Sequence, residues 1–398
     1  MNIIFWFSGS FPDGGAYTNR LLSLSRGLHE LGNQVSIYIP YPGPYSDPQK
    51  KTGSINGVNY HQTYTGVKKP RTRVGKLLIT ITGVFRALRG IIRQHRNQPV
   101  DCIISCITKI SFTFPVYITS RLLKIIFIRE KNEHPMVILK KDQYNAIYRY
   151  VFLHLYYRVF DGMMVISHEL YRYFDKVLKG KMPIRILPMT VDPNRFTLDK
   201  NTKRTHPFDY IAYCGNLWGS KDGVNILLES FGRVHNKYST IKLLLIGDTS
   251  NQLEYQRMKD FIVHLKVRNK IIFTGRVGKD AIPELLINAT VLCLPRPDSL
   301  LARGGFPTKL GEYLSTGNPV IATRVGEIPQ YLVDGQNAFL AEPGSVNSFT
   351  EKLDFVLSDL ITAKKIGLQG RKLAYKEFNY KTQALGIIDF IKGIKKNG

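Results

Sequence analysis

Between Gly304 and Thr323 the chain reads GGFPTKLGEYLSTGNPVIAT. Two glycines and a proline open the stretch, which excludes a regular helix at that point. From Thr308 the spacing changes. Leu310, Tyr313 and Leu314 fall on one helix face, Gly317 stops the helix, and Asn318–Pro319 turn into a strand. A loop that feeds a helix in this way leaves free N–H groups at the helix start, and those groups attract anions. Lys309 adds a positive charge there, and Glu312 lies one turn further in. In dinucleotide folds an acidic residue so placed accepts hydrogen bonds from ribose hydroxyls. The chemistry in view is recognition of a ligand that carries both phosphate and ribose. A plain helix start with a solvated glutamate is the alternative these residues leave open.

A second candidate is REKNEHP, residues 129–135. It follows an apolar run and ends at Pro135, so it reads as a loop at the carboxyl end of a strand. Asn132, Glu133 and His134 are its polar groups for a ligand, unless they serve only the local turn. The glycine loop GSFPDGGAYTNR (9–20) is a third. Gly14 and Gly15 there keep space for a ligand or make a tight turn. The remaining histidines are scattered without metal-ligand spacing. Cys102, Cys106, Cys214 and Cys293 show neither a redox nor a zinc spacing and read as reduced, mostly buried thiols.

The elements that must position these residues alternate between strand and helix, the signature of α/β domains with parallel sheets. Strands are expected at Ile3–Phe7, Val35–Ile39, Cys102–Ile107, Ile125–Ile128 and Met163–Ile166. A second series comprises Tyr210–Cys214, Leu243–Ile246, Ile271–Phe273, Val291–Leu294 and Val320–Thr323. The first helix should start near Ala16 with Leu21, Leu24, Leu28 and Leu31 on one face and end at Gly32. The segment LPMTVDPNRFTLDKNTKRTHPFD, rich in Pro, Asn, Thr and charge, reads as an interdomain linker. The expected organisation is an N-terminal domain over 1–190, a linker over 191–206 and a C-terminal domain over 207–375. A helix over 376–398 would cross back to the first domain. Two doubly wound, Rossmann-like domains facing a cleft would bind ligands at the carboxyl ends of their strands.

Taken together, the glycine loop, VISHEL (165–170), LPMTVDPNRF (187–196), YCGNLWGSKDGV (213–224), LLLIGD (243–248), IIFTGRV (271–277) and the 304–323 stretch resemble the GT-B glycosyltransferases of family 4. The order and spacing of these motifs over nearly the whole chain carry the resemblance. It implies a retaining hexosyltransferase that uses a UDP- or GDP-linked sugar, with no cofactor and no metal. Glu312 matches the second glutamate of the family's paired motif and would bind the donor ribose. Thr308 and Lys309, with Gly305, Phe306 and Pro307 before them, match the diphosphate-binding helix start. Lys221 matches a lysine that neutralises the leaving diphosphate, where charge builds as the sugar–phosphate bond breaks. Gly14 and Gly15 match the family's first loop. Glu133 or His134 would bond the transferred sugar or help take the acceptor proton. Two positions depart from the pattern. Asn216 stands where many members carry an arginine, and Gly304 stands where the first glutamate of the pair is expected. The wording resembles a variant common in bacterial surface-polysaccharide clusters, so capsule, exopolysaccharide or lipopolysaccharide synthesis is implied. A nucleotide-binding homologue without catalysis, acting as a scaffold subunit, is the alternative these departures motivate.

The 398-residue chain carries 56 Lys and Arg against 30 Asp and Glu, a formal net charge of +26. Residues 1–190 hold 27 basic and 10 acidic side chains. Such an excess asks for a polyanionic partner. No zinc pattern or RNA-recognition signature supports nucleic acid. An anionic membrane surface or a phosphate-bearing, lipid-linked or oligosaccharide acceptor remains. Residues 68–96 hold nine Lys and Arg and no acids. Val74, Leu77, Leu78, Ile81, Val84, Phe85, Leu88, Ile91 and Ile92 follow helical spacing there, with Lys76, Arg86, Arg89 and Arg93 opposite. The expectation is an apolar stripe packed on the sheet, with the basic face either solvated or touching lipid. The N-terminal residues lack signal-peptide character and no run reaches 18 apolar residues. A cytoplasmic protein, peripheral on the inner membrane face, is expected.

Overall fold

The computed structural model describes residues 1–43, 51–64, 72–139, 146–197, 206–217, 222–248 and 252–397. The chain divides into two units, Met1–Thr190 with Tyr380–Gly398, and Val191–Asn379.

Unit 1 holds an eight-stranded sheet in the order β3-β4-β2-β1-β5-β6-β7-β8. Its strands are β1 (Asn2–Trp6), β2 (Gln34–Ile39), β3 (Thr52–Ile55), β4 (Val58–Gln62), β5 (Cys102–Ser105), β6 (Ile126–Lys131), β7 (Gly162–Val165) and β8 (Ile184–Ile186). All pairings are parallel except β3 with β4. The β1 and β5 strands are buried on both faces, which is why they read as continuous apolar runs. The β3–β4 hairpin turns at Asn56 and Gly57, whose φ values of 51° and 78° match a two-residue primed turn. The Ala16–Glu30 helix buries Leu21, Leu24 and Leu28, and Gly32 follows at φ 78°. Leu31, expected on that buried face, is the C-cap and is exposed.

The Tyr380–Asn397 helix belongs to unit 1 and lies on the Ala16–Glu30 helix. A Cβ at Gly27 would come within 2.9 Å of Ala384 and of the Tyr380 carbonyl, so glycine permits that approach. Tyr380 and Lys381 both donate to Glu30, at 2.9 Å each.

The basic helix, Arg73–Asn97, buries only part of the expected stripe: Val84 and Ile91 are buried, and Leu88 and Ile92 are half-buried. Ile79, Gly83, Ala87 and Ile91 meet the sheet, whereas Val74, Leu77, Leu78, Ile81 and Phe85 are exposed. The reason is close approach. A Cβ on Gly83 would sit 2.1 Å from the Pro40 carbonyl oxygen, and one on Gly90 would sit 2.7 Å from the Tyr38 ring. The small-residue face therefore fits against the sheet, and the bulkier stripe is turned away from it. The neighbouring Ile110–Leu122 helix likewise exposes Phe114, Ile118 and Leu122, spaced four apart on one face.

Unit 2 holds a six-stranded, wholly parallel sheet in the order β11-β10-β9-β12-β13-β14. The strands are β9 (Tyr210–Cys214), β10 (Lys242–Ile246), β11 (Ile271–Gly275), β12 (Val291–Leu294), β13 (Val320–Thr323) and β14 (Phe339–Ala341). Helices on both faces complete the doubly wound architecture expected of each domain. No helix among the described residues is long and apolar enough to cross a membrane.

Candidate active site

In unit 2 the strand order reverses between β9 and β12, and open parallel sheets bind ligands outside the carboxyl ends of the strands at such a point. The chain leaving β9 runs through Gly215 and Asn216 and returns at Asp222, while β12 leads into Arg296. The Thr308–Thr316 helix lies beside them. Pro307 is its N-cap and no side chain caps it, and it ends at Gly317 with φ 72°. The expected helix start, stop and following strand are therefore present. One detail differs: Gly304 is not loop but the buried last residue of a short Leu300–Gly304 helix, and Gly305 is its C-cap.

A buried ionic cluster ties these segments together. Lys309 Nζ donates to Asp222 Oδ2 at 2.7 Å and to the Tyr213 hydroxyl at 3.0 Å, and lies 4.5 Å from the Tyr213 ring centroid. The Tyr213 hydroxyl also lies 2.9 Å from Asp222 Oδ2 and 2.8 Å from the Asn216 carbonyl. Arg296 Nε stands 3.6 Å from Asp222 Oδ1 and makes no hydrogen bond among the described residues. Burial pushes the Asp222 carboxyl up, but the charges of Lys309 and Arg296 and the bonds from Lys309 and Tyr213 outweigh it, so Asp222 is held below the ordinary carboxylate value. A Cβ on Gly215 would fall 2.2 Å from Lys309 Nζ, so a side chain there would displace the lysine from its present position.

Glu312 is half-buried one turn along the helix and has no hydrogen-bond partner among the described residues. Burial raises its pKa, against the opposing charges of Arg195 and Lys309. It is a carboxylate held close to two cations but lacking donors, which is the condition ribose hydroxyls would relieve. Thr308, Gly305 and Pro307 are half-buried around it. Phe306 points inward, stacked on Tyr331 at 5.3 Å and edge-on to Phe378 at 5.5 Å, so it offers a ligand only its backbone. Asn216 is exposed and contributes its carbonyl to the cluster. Lys221 lies outside the described residues.

In unit 1 the corresponding reversal falls between β1 and β5. Gly14 is required locally, because a Cβ would lie 2.1 Å from the Thr18 hydroxyl and 2.6 Å from the Ser10 carbonyl. Gly15 is different. It is the uncapped N-cap of the Ala16–Glu30 helix, and a Cβ there would meet nothing within 4 Å. The protein itself has no steric need for glycine at that position.

REKNEHP is only partly the loop expected. Arg129, Glu130 and Lys131 complete β6 and are all buried, because β6 pairs through Lys131 with β7. Arg129 donates to the carbonyls of Ser105 and Ile107 at 2.9 and 2.6 Å. Glu130 accepts from Arg20 at 2.9 Å and from Tyr17 at 2.7 Å. The Lys131 side chain has no hydrogen bond or ion pair among the described residues, and burial together with the charge of Arg129 brings its pKa down to about 7. The half-buried Asn132 side chain lies beside Glu130 and helps hold its carboxyl down. Glu133 is exposed.

His134 is buried, and its Nδ1 accepts from the Met136 N–H at 3.3 Å, capping the Pro135–Ile138 helix. Its ring stands edge-on to Tyr173 at 4.5 Å. With Nδ1 accepting, the neutral ring carries its proton on Nε2. This arrangement gives His134 a hydrogen-bond donor for a ligand, the first of the two roles expected for it. Sequence reasoning missed Tyr213, Asp222, Arg296, Arg195 and Lys131. Only Asp222 carried a signal, as the residue after Lys221 in the glycine-rich GSKDG run.

The two sheets, their order and the placement of these residues define a GT-B glycosyltransferase fold. Sucrose-phosphate synthase from Thermosynechococcus elongatus superposes with a TM-score of 0.75 at 15% identity, over 100% of both chains. HepE of Anabaena in complex with UDP and glucose gives 0.70 at 15% identity, over 99% of this chain and 100% of that one. Residues 209–359 match the family model of glycosyl transferases group 1. Among curated relatives, N-acetyl-alpha-D-glucosaminyl L-malate synthase of Bacillus anthracis is 26% identical over 39% of this chain and 38% of that protein. The capsular polysaccharide biosynthesis glycosyltransferase CapM of Staphylococcus aureus is 27% identical over 42% of each. The aligned part thus spans about two-fifths of the length of these relatives.

Proposed function

We propose that this chain transfers a hexose, with retention at the anomeric carbon, from a UDP- or GDP-linked sugar to a lipid-linked or polysaccharide acceptor in cell-surface glycan synthesis. One observation carries the reading: among the described residues Glu312 has no hydrogen-bond donor, and it stands one turn inside an uncapped helix whose first turn presents Lys309. The ribose hydroxyls donate to Glu312, and the diphosphate sits at the N–H groups of Thr308 and Lys309. As the sugar–phosphate bond breaks, negative charge grows on the leaving oxygen. Lys309 leaves Asp222 to meet that charge, with Lys221 as the second cation. The acceptor attacks from the same face, and the departing diphosphate takes its proton. In unit 1, His134 Nε2–H and the Asn132 amide are the polar groups offered to a sugar.

The solved HepE complex with UDP and glucose and the capsular assignment of CapM support the donor class and the pathway type. Unit 1 supports the acceptor side of this reading. The Arg73–Asn97 helix exposes an apolar stripe beside Arg86, Arg89 and Arg93, which suits an anionic membrane surface. Placement at the cytoplasmic face of the membrane belongs to the same reading.

Gly304 supports one second reading, since no carboxylate stands there to hold the transferred sugar. In that case the chain binds nucleotide without turnover across a broad donor panel. Transfer or donor hydrolysis measured in Lys221→Ala and Glu312→Ala decides the first. Both variants should lose most activity, and undiminished activity in both overturns it.

A further inference from the structure

A groove of about 870 Å³ runs along unit 1 between the second half of the Arg73–Asn97 helix and the β2–β4 side of the sheet. None of its lining residues is an aspartate or glutamate. Arg86 and Arg93 stand two helical turns apart on one wall, and neither has an ion-pair partner among the described residues. His61 and Asn59 of β4 and His29 also line it. The floor is fixed. Tyr38 lies tilted against His61 at 4.8 Å and its hydroxyl donates to Gln94 at 3.1 Å, while Gly90 lets the helix settle against that ring. Two guanidinium groups, imidazoles and carboxamides with no carboxylate among them form a donor-rich site for an oxyanion. The same helix turns Leu77, Leu78, Ile81 and Phe85 outward. At about 100° per residue, Arg86 and Arg93 lie at the edge of that stripe, between it and the sheet.

We propose that this groove binds the phosphate of an anionic membrane lipid's headgroup, while the outward apolar stripe enters the acyl boundary beside it. The inference rests on the membrane-facing part of the reading above. It adds a specific headgroup site to what would otherwise be diffuse charge attraction.

The test uses the full chain and two vesicle types of equal surface charge. One is phosphatidylcholine with phosphatidic acid, whose terminal phosphate enters the groove. The other is phosphatidylcholine with oleate, which supplies charge without that group. Wild type should prefer the phosphatidic acid vesicles by about tenfold in co-sedimentation. The double variant Asn59→Ala/His61→Ala, which changes no formal charge at neutral pH, should lose most of that preference and keep its oleate binding. Arg86→Gln/Arg93→Gln should lose both, and Lys76→Gln/Arg89→Gln should weaken both equally without changing the ratio. Equal binding of wild type to the two vesicles, or an unchanged ratio in Asn59→Ala/His61→Ala, overturns the headgroup site. Leu77→Ser/Phe85→Ser tests the underlying reading separately. Undiminished vesicle binding in that variant overturns membrane docking itself, whatever the groove does. Inorganic phosphate that shifts the His61 ring resonances but leaves phosphatidic acid binding intact at saturation overturns the lipid as the source.

Discussion

Asp222, Lys309 and Arg296 predict an asymmetric response to substitution. Lys309→Met removes a 2.7 Å ion pair but leaves Asp222 with the Tyr213 hydroxyl at 2.9 Å and Arg296 at 3.6 Å. Among the described residues, Asp222→Asn leaves the deeply buried Arg296 without a counter-charge and leaves Lys309 only the charge of Glu312. Removing one partner of a buried pair costs about 3–5 kcal/mol. Asp222→Asn should fall in that range, because Arg296 cannot reach water. Lys309→Met should cost only about 1–2 kcal/mol, since Asp222 keeps a cation and Lys309 is partly exposed. The double variant should cost no more than Asp222→Asn alone, giving a coupling of about 1–2 kcal/mol in the cycle. The Asp222 carboxyl is held below its unfolded value, so its contribution is present above that value and disappears as pH falls through the depressed pKa. The gap between wild type and Asp222→Asn should therefore close only in strong acid. Urea unfolding of the four proteins at neutral pH and near pH 3 measures this. Equal losses in the two single variants, or simple additivity in the double, would refute the cluster as the unit that holds Lys309 ready.

Other outcomes follow from the same geometry. Lys131→Met should stabilise the protein at neutral pH by up to about 4 kcal/mol, because a lysine with its pKa brought down to about 7 destabilises the fold as pH drops from about 10 to 7; a loss of stability in denaturant titration would contradict its burial without a partner. Nucleoside diphosphate affinity should rise with pH through the raised Glu312 pKa, since ribose hydroxyls bind the ionised form, and Glu312→Gln should flatten that dependence in calorimetric titrations. His134→Gln should keep more transfer activity than His134→Ala, whereas a loss of proton-acceptor function would make the two equally inactive and change the alkaline or acid limb of the pH–rate profile.

The sequence made some of this legible and hid the rest for physical reasons. Strands such as β9, β12 and β13 are short apolar runs buried on both sides, so composition alone places them. The β3–β4 hairpin was not legible as strand, because β3 alternates exposed and half-buried residues at a sheet edge; its Asn56–Gly57 turn was the usable signal. Lys309 and Glu312 could be read because a helix start is a local event. Their partners could not. Asp222 meets Lys309 across 87 residues through the order of the sheet, which no local spacing encodes. The Arg73–Asn97 helix shows the opposite failure. Periodicity finds the bulkiest apolar stripe, but Gly83, Ala87 and Gly90 decide which face can approach the sheet.

The most direct measurement is thermal unfolding of wild type and Glu312→Ala with UDP, GDP and ADP across a concentration series. A ligand that binds only the native state stabilises it by about 2.7 kcal/mol at a hundred times its Kd. The account predicts that UDP or GDP raises the wild-type Tm with saturating dependence, and that Glu312→Ala loses most of that shift while folding normally. No stabilisation by any nucleoside diphosphate at millimolar concentration, or an undiminished shift in Glu312→Ala, would contradict it.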